Sequence, residues 1–172
     1  MGDEVLVAYA TGCGSAAEVA EAIGEELRAG REVDVRPVAE VSDLAGYGAV
    51  VLGSGIRAGR WLPQAVAFVE KNQEALSRMP VAYFIVCLTM REDTEENRST
   101  VAAYLDAVRE KSPQVQPVDV GLFAGAMDSR KLPFLLRLVV KAMKAPQGDF
   151  RDWEAIRAWA ARVSTALASA GK

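Results

Sequence analysis

The chain has 172 residues, 51 % apolar and 25 % charged, a length for one domain over 1–172 and a composition that excludes a disordered tail, a collagen or a coiled coil. Twenty basic against twenty-three acidic residues leave net −3, so no broad positive field invites a nucleic-acid backbone and no nucleic-acid partner is expected. Histidine is absent, which removes the Ser-His-Asp triad, the histidine general base and histidine-ligated zinc or haem.

The start, Met1-Gly2-Asp3-Glu4, is acidic and lacks the basic flank of a secretory signal. Residues 5–10 are continuously apolar, which predicts a strand buried on both faces, as in a parallel sheet. A loop of small residues follows at 11–15. From Ala16 the apolar period lengthens: Val19, Ala20, Ile23 and Leu27 recur at helical spacing while Glu18, Glu21, Glu25 and Glu26 take the solvated face, and Gly30 ends the helix. Val33, Val35 and Pro37 alternate with charges as an edge strand does. Residues 49–52 form the next buried strand, closed by Gly53-Ser54-Gly55, and Pro63 opens a helix through Phe68 and Val69. Pro80 introduces a strand at 81–88, a helix follows over 99–111, and the last strand spans 118–124. Two helices are predicted at 133–144 and 153–168. No apolar run reaches the roughly 18 residues of a membrane span.

Five strands alternating with helices predict an α/β fold, a doubly wound five-stranded parallel sheet with helices on both faces. Such sheets bind ligands beyond the carboxyl ends of their strands. Here those ends are 11–16, 54–61, 88–97 and 125–130, and any site should be assembled from these loops.

The first loop, Thr11-Gly12-Cys13-Gly14-Ser15-Ala16, joins a buried strand to a helix N-terminus. Free backbone N–H groups and the helix dipole meet there, glycines allow close approach or positive φ, and Thr11 and Ser15 add hydroxyls. These features would hold a phosphate with no cationic side chain. The plainer reading is a tight turn with Ser15 as N-cap. A Walker A loop needs a Lys that is missing. A cysteine phosphatase needs an Arg where Val19 stands, and a response regulator needs acids where Ala10, Thr11 and Gly53 stand. Gly12-x-Gly14-x-x-Ala17 also fits a dinucleotide fingerprint, with Asp34 and Arg36 ambiguous as the ribose reader.

With this loop, the Gly-Ser-Gly-Ile-Arg-Ala-Gly-Arg-Trp segment at 53–61 and the loop after Cys87, the chain resembles the flavodoxin-like family. Gly-x-Ile-Arg-x-Gly at 53–59, Ala-Gly-Ala at 124–126, a basic apolar segment at 132–144 and Asp-Trp at 152–153 make it similar to the flavodoxin-type quinone-dependent protoporphyrinogen oxidases. The resemblance implies FMN as cofactor, a quinone or other redox partner, and a porphyrinogen substrate. By position, Thr11, Gly12, Cys13, Gly14, Ser15 and Ala16 would hold the phosphate. Ser54, Gly55, Ile56, Arg57, Ala58, Gly59 and Trp61 would border one side of the flavin, and Leu88, Thr89 and Met90 the other. Ala10 and Ala16 stand where the family usually has hydroxyls, which keeps open a domain of this fold that binds no flavin.

Trp61 can stack on the ring or pack beside Pro63. Arg57 and Arg60 can counter negative charge or lie in solvent. Cys13, at a helix N-terminus, can carry a lowered pKa or be a tolerated small residue. The 130–144 segment carries Arg130, Lys131, Arg137, Lys141 and Lys144 among dense apolar residues. It is expected first to pack on the last strand, and otherwise to lie on an anionic membrane and admit a quinone or porphyrin. Glu92, Asp93, Glu95 and Glu96 offer the acidic docking face of a pure electron carrier. No protein acid or base and no metal ligand set stands out, and a reducing, cytoplasmic setting is expected.

Overall fold

The structure, a computed structural model, describes residues 2–12, 14–144 and 147–171. Strand β1 (Glu4–Ala10) leads into α1 (Ser15–Leu27), then β2 (Val33–Pro37) and β3 (Tyr47–Arg57). A short β4 (Arg60–Trp61) turns back on β3, followed by α2 (Pro63–Lys71), α3 (Gln73–Ser77) and β5 (Val81–Cys87). Helices α4 (Glu95–Ala102) and α5 (Asp106–Lys111) precede β6 (Val120–Ala124). A two-stranded stem, β7 (Ala126–Met127) with β8 (Gly148–Asp149), brackets α6 (Phe134–Ala142), and α7 (Trp153–Ala170) closes the fold.

The main sheet runs β2-β1-β3-β5-β6 with every one of these neighbours parallel, and β4 pairs antiparallel with β3. Chain order reverses between β1 and β3, so the crevice beyond their carboxyl ends is the place for a ligand. The continuous apolar runs serve both faces because successive side chains alternate. Val5 and Val7 face α1 and α7 with Val19, Ile23, Phe84, Trp159 and Val163. Leu6 and Ala8 face the other layer with Leu52, Phe68, Val69, Tyr83 and Leu105.

Four elements differ from the sequence expectation. β3 continues to Arg57 rather than ending at 52, because the chain turns back as a hairpin and pairs Arg57 with Arg60. The helix expected over 99–111 begins at Glu95 and is interrupted by a 3-10 turn at Ala103–Leu105. Its earlier start follows from Thr94, whose hydroxyl accepts from the Asn97 N–H at 3.1 Å, a side-chain N-cap. Ser15 is not the cap of α1. Gly14 holds that position at φ 92 without a side-chain hydrogen bond to the first turn.

The fourth difference is α6. It was expected to pack on the last strand, yet none of its residues is buried. Trp159 of α7 already covers that strand, edge-on to Phe123. The other face of the sheet carries α2 and α5, so no face remains for α6. It is an excursion on the β7–β8 stem, with Phe134 68 %, Leu135 74 % and Met143 75 % exposed.

Candidate functional site

A cleft of about 480 Å³ opens at the carboxyl ends of β1, β3, β5 and β6. It draws on each of the four expected loops. Thr11, Gly12 and Ser15 come from the first, and Gly55, Ile56, Arg57, Ala58 and Gly59 from the β3–β4 hairpin. Leu88 and Thr89 follow β5, and Gly125, Ala126 and Met127 follow β6.

The first loop is shaped by its own hydroxyl. Thr11 Oγ1 accepts from the Gly14 N–H at 2.8 Å, which folds the loop over itself. Gly14 then adopts a positive φ that a side chain rarely tolerates. No side chain caps the first turn of α1, so its N–H donors and dipole are not spent on a side-chain cap. Ala16 is buried beneath the turn and contributes only backbone. Cys13 lies outside the described residues.

The loop does have a cation beside it. A Cβ built on Gly12 would stand 3.7 Å from Arg57 Nη2, so the Arg57 guanidinium reaches across from the hairpin. The hairpin turns through Ala58 at φ 52 and Gly59 at φ 70, the backbone of a two-residue type I′ turn. Alanine seldom adopts positive φ, and such strain gathers where geometry is over-determined.

Three expected residues turn away from the cleft. Ser54 shares the inward face of β3 with Val50 and Leu52, and its hydroxyl accepts from the Leu62 N–H at 3.0 Å and donates to the Gly55 carbonyl at 2.6 Å. Trp61 is 2 % exposed and packs edge-on to Tyr83 with ring centroids 5.2 Å apart, so its face is not offered to a ligand. Met90 is buried and lines a groove along β6 instead.

Residues not singled out from the sequence complete the walls. Tyr104 lies against the hairpin, with Cε1 3.6 Å from a Cβ built on Gly59. Leu62, Val86 and Met143 add apolar surface. Cys87 lines the cleft, but burial pushes its thiol pKa up despite backbone hydrogen bonds from Met90 and Thr89, so it stays protonated and is a poor nucleophile.

Arg151 ties the parts together. Its guanidinium pairs with Glu18 in the first turn of α1 and with Asp149 of β8 at 2.7 Å, and lies 4.6 Å from the Trp153 ring centroid. The pairing offsets the Glu18 carboxylate in the first turn of α1. It also anchors that helix to the stem that carries α6. Arg151 holds the Asp149 carboxyl down at about 2.

The Flavodoxin domain family profile matches residues 6–153. The chain is 31 % identical over 170 residues to a protoporphyrinogen IX dehydrogenase (quinone) from Leishmania major, covering 90 % of this chain and 72 % of that protein. The enzyme of that name from Escherichia coli strain K12 is 26 % identical over 176 residues, with 94 % of each chain covered. A solved flavodoxin from the domain Archaea superposes with a TM-score of 0.59 at 16 % identity, over 96 % of this chain and 99 % of that one.

Proposed function

This chain belongs to the flavodoxin domain family, and from that premise we propose that it binds FMN noncovalently and oxidises a protoporphyrinogen with a quinone as acceptor. The observation that carries the flavin assignment is the uncapped N-terminus of α1, which meets the cleft behind a positive-φ glycine and beside Arg57. The residues fit the cofactor: backbone donors of Thr11, Gly12, Ser15 and Ala16 with Arg57 for the phosphate, and an apolar cleft for the ring. Hairpin residues Gly55 to Gly59 would border the ring with Tyr104, opposite Leu88 and Thr89. When bound, the flavin supplies the two-electron redox chemistry.

The chain's own residues then bind, orient and exclude water. None needs to act as acid or base. In each round a hydrogen pair leaves the porphyrinogen and ends on the quinone as quinol, so electrons and protons balance without another reactant. The substrate assignment takes its support from the two relatives named for this reaction. It gains support from α6, an exposed apolar helix for which a simple carrier has no use. A carrier would dock through the acidic cluster at 92–96, but Arg98 engages Asp93 there at 2.5 and 2.8 Å.

Among the described residues no helix is long and apolar enough to cross a membrane. Peripheral contact is the reading for the outer face of α6, where Leu135, Leu136 and Val139 stand exposed and Lys131, ahead of the helix, would meet anionic headgroups at the cytoplasmic side.

The test is anaerobic incubation of the FMN-loaded protein with protoporphyrinogen IX, with and without a soluble quinone, following porphyrin fluorescence. Quinone-dependent growth of the signal is expected. Flavin that a reductase reduces, with no porphyrin formed, would replace the enzyme by a carrier.

A further inference from the structure

α6 has a second side that the membrane reading leaves unused. Arg137, Lys141 and Lys144 follow helical spacing along one stripe. With Phe134 and Leu138 they line a pocket of about 390 Å³ between the helix and Ser129 and Gln147. Leu135, Leu136 and Val139 lie on the rest of the circumference and are absent from that lining, as is Met143, which lines the cleft. The two sides therefore differ in chemistry: the outer one is apolar, and the inner one combines cations with an aromatic and an aliphatic wall.

The cations are available. Residues 129–148 contain no Asp or Glu, and among the described residues no ion pair engages Arg137, Lys141 or Lys144. Arg137 is held from behind. Its Nε donates to the Leu132 carbonyl at 3.1 Å and its Nη2 to the Arg130 carbonyl at 3.4 Å. These bonds fix the guanidinium at the pocket without neutralising it.

The pocket and the cleft are lined from neighbouring stretches of chain. Met143 lines the cleft and Lys144, next in sequence, lines the pocket. Met127 lines the cleft and Ser129 the pocket.

We propose that the Arg137, Lys141 and Lys144 side of α6 is the subsite for the carboxylate-bearing edge of the substrate, an apolar tetrapyrrole with two acidic side chains. The inference rests on the porphyrinogen reading above and deepens it. An inorganic phosphate would use the cations but waste Phe134 and Leu138, and a quinone would do the reverse. A macrocycle with carboxylates on one edge uses both. Exposed ion pairs add little affinity, so the cations chiefly choose and orient the ligand while the apolar walls retain it.

The test uses the FMN-loaded protein, with protoporphyrin IX and its dimethyl ester as probes, read by quenching of tryptophan fluorescence. The double variant Arg137→Gln/Lys141→Gln should bind protoporphyrin about tenfold more weakly, the equivalent of about 1.4 kcal/mol, and show a raised KM at unchanged kcat. The charge-retaining Arg137→Lys/Lys141→Arg pair should recover most of the loss. The ester should bind weakly to every form, and FMN affinity should stay constant as the control on folding. Equal protoporphyrin affinity in wild type and double variant overturns the subsite, as does an ester that binds as tightly as the free acid. Loss of binding to phosphatidylglycerol vesicles with protoporphyrin affinity intact also overturns it and assigns the cations to lipid headgroups. Wild-type turnover with equal affinities sinks the subsite alone. Cation-dependent porphyrin binding without turnover sinks the enzymatic reading and keeps the subsite.

Discussion

Replacing Gly14 with alanine separates backbone geometry from packing at the start of α1. Gly14 sits at φ 92, and nothing lies within 4 Å of a Cβ built there. The methyl group meets no neighbour, so the whole effect is conformational. Holding an L-residue in left-handed backbone costs roughly 1–2 kcal/mol. In the FMN-free protein the loop can relax by giving up the 2.8 Å bond from the Gly14 N–H to Thr11. Binding requires the loop to return, so the strain falls on affinity, and Kd for FMN should rise about 5- to 30-fold. If the strain is retained without ligand, Tm should fall by about 2–8 °C instead. Gly14→Val, β-branched, should lose flavin altogether while remaining folded. The assay is a fluorescence titration of FMN beside melts with and without cofactor. Gly30→Ala serves as the control, since Gly30 has open space and no positive φ. Wild-type FMN affinity in Gly14→Ala and Gly14→Val would refute the assignment of this loop to the phosphate.

Trp61 and Arg151 give sharper structural tests. Trp61→Ala should destabilise the fold by about 3–5 kcal/mol, because the ring fills core against Tyr83, whereas Trp61→Phe should keep FMN affinity unchanged; a large loss of affinity in the Phe variant would restore a stacking role. Arg151→Met should flatten the acid limb of stability. Asp149 has a folded pKa depressed to about 2 from 3.8, so its contribution is present above pH 3.8 and is lost as pH falls toward 2. Denaturant midpoints measured across that window should slope less in the variant, and parallel curves would remove Arg151 as the clamp between α1 and the α6 stem.

The sheet was legible because its central strands β1 and β5 are apolar without interruption, β2 alternates apolar with charged residues as an edge strand does, and several turns are marked by glycine. The first loop was legible for the same reason. What the sequence hid were matters of facing. Ser54 follows Val50 and Leu52 at period two, so its inward position was readable, but the Gly-Ser-Gly pattern suggested a loop instead. The hairpin at Ala58-Gly59 lacks the Asn-Gly or Gly-Gly signal of its turn type, and without it β3 ends too early and Trp61 swings toward the cleft. Tyr104 reaches the site only through the hairpin, a long-range contact with no local signature. The apolar density of α6 is what a core helix would show. Only the occupied faces of the sheet reveal that there is no core left for it to cover.

The claim on which everything else depends is that the cleft takes FMN, and the visible absorption spectrum of the protein after gel filtration, before and after addition of FMN, tests it most directly. Flavin bands that travel with the protein peak, shifted from free FMN, are the predicted result. Protein that elutes without flavin bands even after incubation with excess FMN would contradict the account and leave a flavodoxin-family fold with another use for its cleft.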